Sequence, residues 1–279
     1  MPELFFAFLA LLCWGFKDVF NKRILEKIDV YSLLLVEYFP AVMLIGAALL
    51  FFSQPVFPQG NTLLLVVFTS ILGATSVIAY FKAIQKSKVG LIYAIGCSFP
   101  LFSVFFATVF LGESFQVSYA IALPLILASL FLLAYRNQGL SFDEGFWFAA
   151  YASVSWGVYF TIAKIISAKL NAFNASFFME AGVLVVLAVF FMAKRKKLAV
   201  PKSFEEKKLV VLYVFLFAAG VIFGNLSLLA VGVSLTSLVT ATAPALNALA
   251  AWVFLKEKLS RNQYVGIALL IASLILLSF

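Results

Sequence analysis

Leu11-Leu12-Cys13-Trp14-Gly15 returns as Ser153-Val154-Ser155-Trp156-Gly157, with the two tryptophans 142 residues apart. The echo continues in order. Lys22 and Lys164 each follow their tryptophan by eight residues. Glu37 and Glu180 are 143 apart, and Pro100 and Pro244 are 144 apart. Glu113 and Glu257, in Phe-Leu-Gly-Glu and Phe-Leu-Lys-Glu, are also 144 apart. Chance could produce one such pair. An ordered series with a drift of two residues marks an internal duplication, with halves at 1–137 and 138–279.

The medium around these halves follows from composition. Of 279 residues, 65% are hydrophobic and 11% are charged, with a mean hydropathy of +1.11. Soluble domains carry about 45–50% apolar and about 25% charged residues. Too few charges remain for a water-facing surface, so lipid is the solvent. A spanning helix needs about 20 largely apolar residues. Ten runs meet that need, at 3–21, 32–52, 62–82, 89–111, 117–135, 146–166, 173–193, 209–230, 233–255 and 262–279. The boundaries between the third and fourth runs, and between the eighth and ninth, are the least distinct. The first run begins Met-Pro-Glu and has its positive charges behind it, unlike a secretory leader.

The expected fold is therefore an all-α membrane protein of ten transmembrane helices, arranged as two five-helix inverted repeats. Five is odd, so the second half enters the membrane from the opposite side. Lys and Arg concentrate in the loops after the odd-numbered runs, Lys194-Arg195-Lys196-Lys197 among them. The loops after the even-numbered runs hold little beyond Lys164 and Lys169. The positive-inside rule then places the basic loops in the cytoplasm and both termini outside, in a multi-pass protein of the cell membrane.

Several function classes fall away. The net charge of +8 sits in loops between apolar runs, which fits topology rather than nucleic-acid binding. Cys13 and Cys97 lie inside apolar runs and read as small packers. The chain has no histidine, which removes His-based triads and His-ligated metal sites, and no cofactor is expected. No phosphate-cradling Gly-x-x-x-x-Gly-Lys-[ST] motif occurs, so ATP does not drive this chain directly.

In their order and duplication these residues resemble the drug/metabolite transporter superfamily, and within it the ten-span EamA-type proteins with two EamA repeats. Trp14-Gly15 and Trp156-Gly157 match the first span of each half. Ser98-Phe99-Pro100-Leu101 and Thr242-Ala243-Pro244-Ala245 match the fourth, closed by Glu113 and Glu257, with Gly266 in the span after it. The resemblance covers essentially the whole chain. It implies movement of a small metabolite or drug-like solute across the bilayer, without naming the solute. Two departures stand out. Many members look to have an arginine early in the second span, where this chain has Glu37 and Glu180. Many also look to have cytoplasmic termini, the reverse of the charge bias here.

Glu37 and Glu180 are the leading site residues. Each lies inside an apolar run, where a carboxylate costs roughly 2.5–3.5 kcal/mol to insert and usually faces a cavity or a partner. They would exchange protons or hold a cationic solute. Alternatively they pair with Lys17, Lys22 or Lys164 and lock helices. Lys17 and Asp18 close the first run as a binding pair or as interfacial residues reaching water, the latter favoured for Lys17. Trp14 and Trp156 could flank a central cavity. Tyr80, Tyr93, Tyr159, Asn225 and Asn247 need hydrogen-bond partners in lipid, from a neighbouring helix or the solute. Pro100 and Pro244 would be a symmetric pair of hinges. Gly220-x-x-x-Gly224 fits close helix packing. Asn174-Ala175-Ser176 spells a glycosylation acceptor but abuts a span. The expected activity is secondary transport by alternating access, with protons as a possible coupling partner. The alternatives are a membrane scaffold or regulatory protein and, less favoured, an integral-membrane enzyme.

Overall fold

Polar caps, rather than the ends of the apolar runs, set the helix limits. The computed structural model describes residues 4–25, 28–87, 89–134, 143–195, 197–201, 203–255 and 259–278; side chains at 18–25, 89–90, 134, 205, 250–251 and 254–255 are not described. Eleven helical segments follow in order among the described residues: α1 (Phe5–Leu25), α2 (Val30–Phe52), α3 (Gly60–Lys86), α4 (Val89–Gly96), α5 (Pro100–Leu111), α6 (Val117–Ala134), α7 (Glu144–Leu170), α8 (Ala172–Ala193), α9 (Phe204–Thr240), α10 (Ala243–Leu255) and α11 (Arg261–Leu277). Asp29 opens α2 by accepting from the Tyr31 N–H at 3.2 Å, and Asp143 opens α7 by accepting from the Phe146 N–H at 3.0 Å. Ser203 with Glu206, and Ser260 with Gln263, form reciprocal capping boxes. The runs expected at 62–82 and 146–166 thus lengthen to Gly60–Lys86 and Glu144–Leu170.

Six helical stretches among the described residues are long and apolar enough to cross a membrane: Val30–Phe52, Gly60–Lys86, Leu91–Leu111, Glu144–Leu170, Ala172–Ala193 and Glu206–Thr240. Shorter apolar helices accompany them at Phe5–Lys17, Val117–Leu133 and Arg261–Leu277. Large apolar side chains face outward, with Phe51 at 82% and Val117 at 77% exposure, as a lipid-facing surface requires.

The main helix pairings join the two halves, and they come in matched sets. α1 lies on α9 as α3 lies on α7; α2 lies on α9 as α3 lies on α8; α1 lies on α10 as α5 lies on α7; α2 meets α8, and α6 meets α11. The Trp-Gly and Pro motifs explain one of these sets. A Cβ on Gly15 would stand 3.0 Å from Leu246 Cδ1, two residues after Pro244. A Cβ on Gly157 would collide with Phe102, two residues after Pro100, and lie 3.0 Å from the Ser103 backbone nitrogen. Each glycine admits the helix that its half's counterpart proline begins. Gly220 and Gly224 lie in the close α1–α9 contact that their spacing suggests. They form a slot for an indole, since a Cβ on Gly224 would stand 2.8 Å from Trp14 Cη2.

Two helix breaks bear the prolines. Residues 97–99 form a turn between α4 and α5, and 241–242 form one between α9 and α10. Pro100 is the first residue of α5, and Pro244 is the second of α10, positions where the missing N–H costs nothing. The hydroxyls within the same motifs add a second donor to carbonyls that already accept the backbone N–H of the turn. Ser98 donates to the Ile95 carbonyl at 2.6 Å, and Thr242 donates to the Val239 carbonyl at 2.7 Å.

The boundary expected between the runs 209–230 and 233–255 is a bend inside α9, at Gly232 (φ 85°, ψ 178°), a conformation that favours glycine. Both sides of the bend are capped from elsewhere. Glu113 accepts from the Val233 N–H at 2.7 Å, the Ser234 N–H at 2.9 Å and the Ser234 hydroxyl at 2.7 Å. Lys164 donates to the Leu228 carbonyl at 2.7 Å. Lys164 therefore serves the bend and is not a partner of Glu37 or Glu180. Glu257 lies outside the described residues. Glu113→Ala is expected to cost about 1.5–3 kcal/mol, the worth of hydrogen bonds to a charged acceptor, read as a lowered unfolding temperature in detergent. Glu113→Gln, which keeps one acceptor oxygen, is expected to lose less. Asn174 is fully buried, accepting from the Val56 N–H at 2.7 Å and donating to the Gln54 carbonyl at 3.0 Å, so its sequon is a coincidence of a structural asparagine.

Candidate functional site

Both proline-bearing breaks border one cavity. It has a volume of about 190 Å³ and is lined from the first break by Cys97 and Phe99 and from the second by Thr240 and Ala243. Trp14, Tyr80, Trp156 and Phe160 form part of an aromatic wall. Tyr80 meets Trp156 edge-on at 4.9 Å between ring centroids, and Phe99 meets Phe160 at 5.2 Å. Trp14 and Phe160 are 6.0 Å apart, closing the wall between halves.

The charge in this apolar chamber is concentrated in three side chains. Glu37 on α2 is fully buried and forms an ion pair with Lys17 on α1, Nζ to Oε1 2.5 Å. The same ammonium lies 4.8 Å from the centroid of Tyr213 and 4.5 Å from that of Phe217, both on α9. Rings at this range stabilise a cation electrostatically, most when desolvated. Glu180 on α8 is 5% exposed and accepts from the Tyr159 hydroxyl on α7 at 2.8 Å. Lys17, Glu37, Tyr159 and Glu180 all line the cavity.

Of the residues expected at a site, Trp14, Glu37, Tyr80, Trp156, Tyr159 and Glu180 therefore meet around one space. Others lie elsewhere. Tyr93 stands behind Tyr80, 6.1 Å between rings, and is not among the lining residues. Asn225 is held in a helix-to-helix junction: it accepts from the Ser167 hydroxyl at 3.0 Å and donates to Ser176 Oγ at 2.9 Å and the Val221 carbonyl at 3.2 Å. These bonds tie α7, α8 and α9 together outside the chamber. Asn225→Ala is expected to lower stability by about 1 kcal/mol, the range of hydrogen bonds between membrane helices, without altering ligand binding. Thermal unfolding and ligand titration of the same sample check both parts. Asn247 lies in α10 away from the lining, and its buried amide atoms make no hydrogen bond among the described residues. The side chain of Asp18 lies outside the described residues.

Tyr38, Phe160, Phe217 and Thr240 also line the cavity and do not stand out in the sequence, and so does Lys17, which the sequence offers as half of a binding pair with Asp18. Lys17 was expected to reach water at the membrane surface, yet it is 9% exposed and turned inward onto Glu37. A signal was available. Lys17 and Tyr159 are 142 apart, the same offset as Trp14 and Trp156, so the duplication aligns the two carboxylate partners.

Duplicated halves around one chamber invite comparison with known proteins. The model of the EamA-like transporter family matches residues 1–135 and matches again at 144–279. The chain belongs to the EamA-like transporter family. It is also similar to an uncharacterised transporter of Archaeoglobus fulgidus, 22% identical, with 99% of this chain and 98% of the relative covered. A protein of known crystal structure shares the fold with a TM-score of 0.84 at 18% identity, covering 99% of this chain and 96% of that one. As an EamA-like protein the chain is a multi-pass membrane transporter, and the lipid bilayer and a small solute are its surroundings and its cargo.

Proposed function

We propose that this protein is a secondary transporter that moves a small metabolite or drug-like solute by alternating access, with the central cavity as the solute site. The observation that carries the reading is the chamber between the halves, lined by equivalent carboxylates and flanked by the two proline-bearing breaks. In this reading the chain has ten spans in two inverted five-span repeats, 1–137 and 138–279. α4 with α5 forms the fourth span, and the part of α9 beyond Gly232 with α10 forms the ninth. The matched pairing of helices across the halves supports that arrangement. Broken helices at a repeat interface are the usual setting of a transporter's site. Pro100 and Pro244 mark where each half flexes, and the chamber that holds Glu37 and Glu180 takes the solute or protons. The membrane is the cell membrane, with both termini outside.

Purified protein in sealed liposomes tests the reading. The expected result is ligand stabilisation in a thermal-shift screen of metabolites at two pH values, followed by exchange of the stabilising solute across the vesicle wall. Product formation in detergent without any gradient would instead favour an enzyme. Ligand-free behaviour throughout, with no exchange, would favour a scaffold. Accessibility of single cysteines added at the two termini of intact cells reports orientation.

A further inference from the structure

We infer that the cavity takes a small organic monocation with an apolar body, held by Glu180, while Lys17 and Glu37 form a closed pair that fixes the charge of the site. This rests on reading the cavity as the transport site.

The duplication makes the argument quantitative. Positions 37 and 180 are counterparts at an offset of 143, and positions 17 and 159 at an offset of 142. In the first half the carboxylate meets an ammonium at 2.5 Å. In the second it meets a phenol hydroxyl at 2.8 Å. A phenol donates a hydrogen bond but brings no positive charge. The titratable groups that share the cavity with Glu180 are Lys17 from α1, Glu37 and Tyr38 from α2, Tyr80 from α3, Cys97 from the first break and Tyr159 from α7. Among them are one cation and two carboxylates, so the ionised site lacks one positive charge.

That missing charge selects the ligand. Lys17 is already committed to Glu37 and to the rings of Tyr213 and Phe217, so an anion finds no free partner. A neutral solute brings no charge to Glu180, so it binds only while the carboxyl keeps its proton and gains no ion pair. A monocation completes the balance, and the faces of Trp14, Tyr80 and Trp156 suit it. In the empty site a proton on Glu180 supplies the same charge. Binding of the monocation to the Glu180 carboxylate then releases that proton to water, one for one, with no other bond changed.

Isothermal titration of the purified protein with three ligands of one shape, phenethylammonium, 2-phenylethanol and phenylacetate, tests this. Wild type is expected to bind the ammonium on the order of tenfold more tightly than the alcohol and to bind phenylacetate least. Glu180→Gln should reduce the ammonium-to-alcohol ratio to about one, and Glu180→Asp should restore it. Tyr159→Lys, which supplies the missing cation, should abolish the preference or turn it toward phenylacetate. The double variant Lys17→Gln with Glu37→Gln should still favour the ammonium, since it removes a neutral pair. Loss of the preference in that double variant would place the cation at Glu37 and overturn the assignment. So would wild-type binding that ignores charge, or an unchanged ratio in Glu180→Gln. Flux of a neutral or anionic solute that is indifferent to Glu180→Gln would overturn this inference and leave the transporter reading standing. The expected binding pattern without flux of any solute would do the reverse.

Discussion

Glu180→Gln is expected to abolish transport while the protein still expresses and folds. The amide matches the carboxylate in shape, and its oxygen still accepts from the Tyr159 hydroxyl that now lies at 2.8 Å. The local fold therefore keeps its bond, and what disappears is the charge and the ability to exchange a proton. A lost charge-assisted contact is worth about 1.5–3 kcal/mol, or roughly ten- to a hundredfold in rate, before any coupling is lost. Glu37→Gln should stop transport too, by a different route. It leaves the Lys17 ammonium without its anion in the same chamber, where it cancels the charge of Glu180. The two variants should thus separate by stability: Glu180→Gln unfolds near the wild-type temperature, Glu37→Gln well below it. Uptake into proteoliposomes, paired with thermal unfolding in detergent, measures both. Normal uptake in both variants would show that neither carboxylate takes part.

The duplication was legible because it is carried by rare residue types in order. Tryptophan, proline and intramembrane glutamate stand out against a chain that is 65% hydrophobic. What those residues do was less legible, because the partners are apolar. Nothing in the sequence marks Leu246 or Phe102 as the neighbours of Gly15 and Gly157. The break at 97–99 was hidden inside the run 89–111 because Cys97 and Phe99 are as apolar as a helix interior; only Pro100 hinted at it. The indistinct boundary between the eighth and ninth runs had a physical origin as well. The chain makes no polar loop there but turns at Gly232 and takes its missing partners from Glu113 and Lys164. Such long-range caps link residues 120 apart in sequence. Hydropathy reads each residue alone, so it sends a lone lysine to the membrane surface. Lys17 turns inward because its counter-charge lies on another helix.

Lys17→Met is expected to be the most destabilising single substitution at the site, by roughly 3–5 kcal/mol, because it strands a buried carboxylate. Glu37 is fully buried and pairs with Lys17 where α1, α2 and α9 meet, so removing the ammonium leaves its charge with no counter-ion. The rings of Tyr213 and Phe217, placed 4.8 and 4.5 Å from Nζ, lose their cation at the same time. The cost belongs to the abandoned charge rather than to the bond itself, and this makes the prediction separable from simple loss of packing. Taking two charges out of water offsets most of what their attraction returns, so apolar replacements of similar volume are often neutral or stabilising. The double variant Lys17→Met with Glu37→Leu should therefore recover most of the stability that Lys17→Met loses, although it restores no contact between the two positions. Thermal unfolding of the wild type, both single variants and the double variant in one detergent forms the cycle. A double variant no more stable than Lys17→Met alone would mean that the net attraction of the pair is what is lost, and that α1 and α2 are held to the rest of the protein by charge. Recovery would mean that the helices are held by their apolar contacts. The ion pair is then kept for the charge it leaves in the cavity, one negative site at Glu180 and no more.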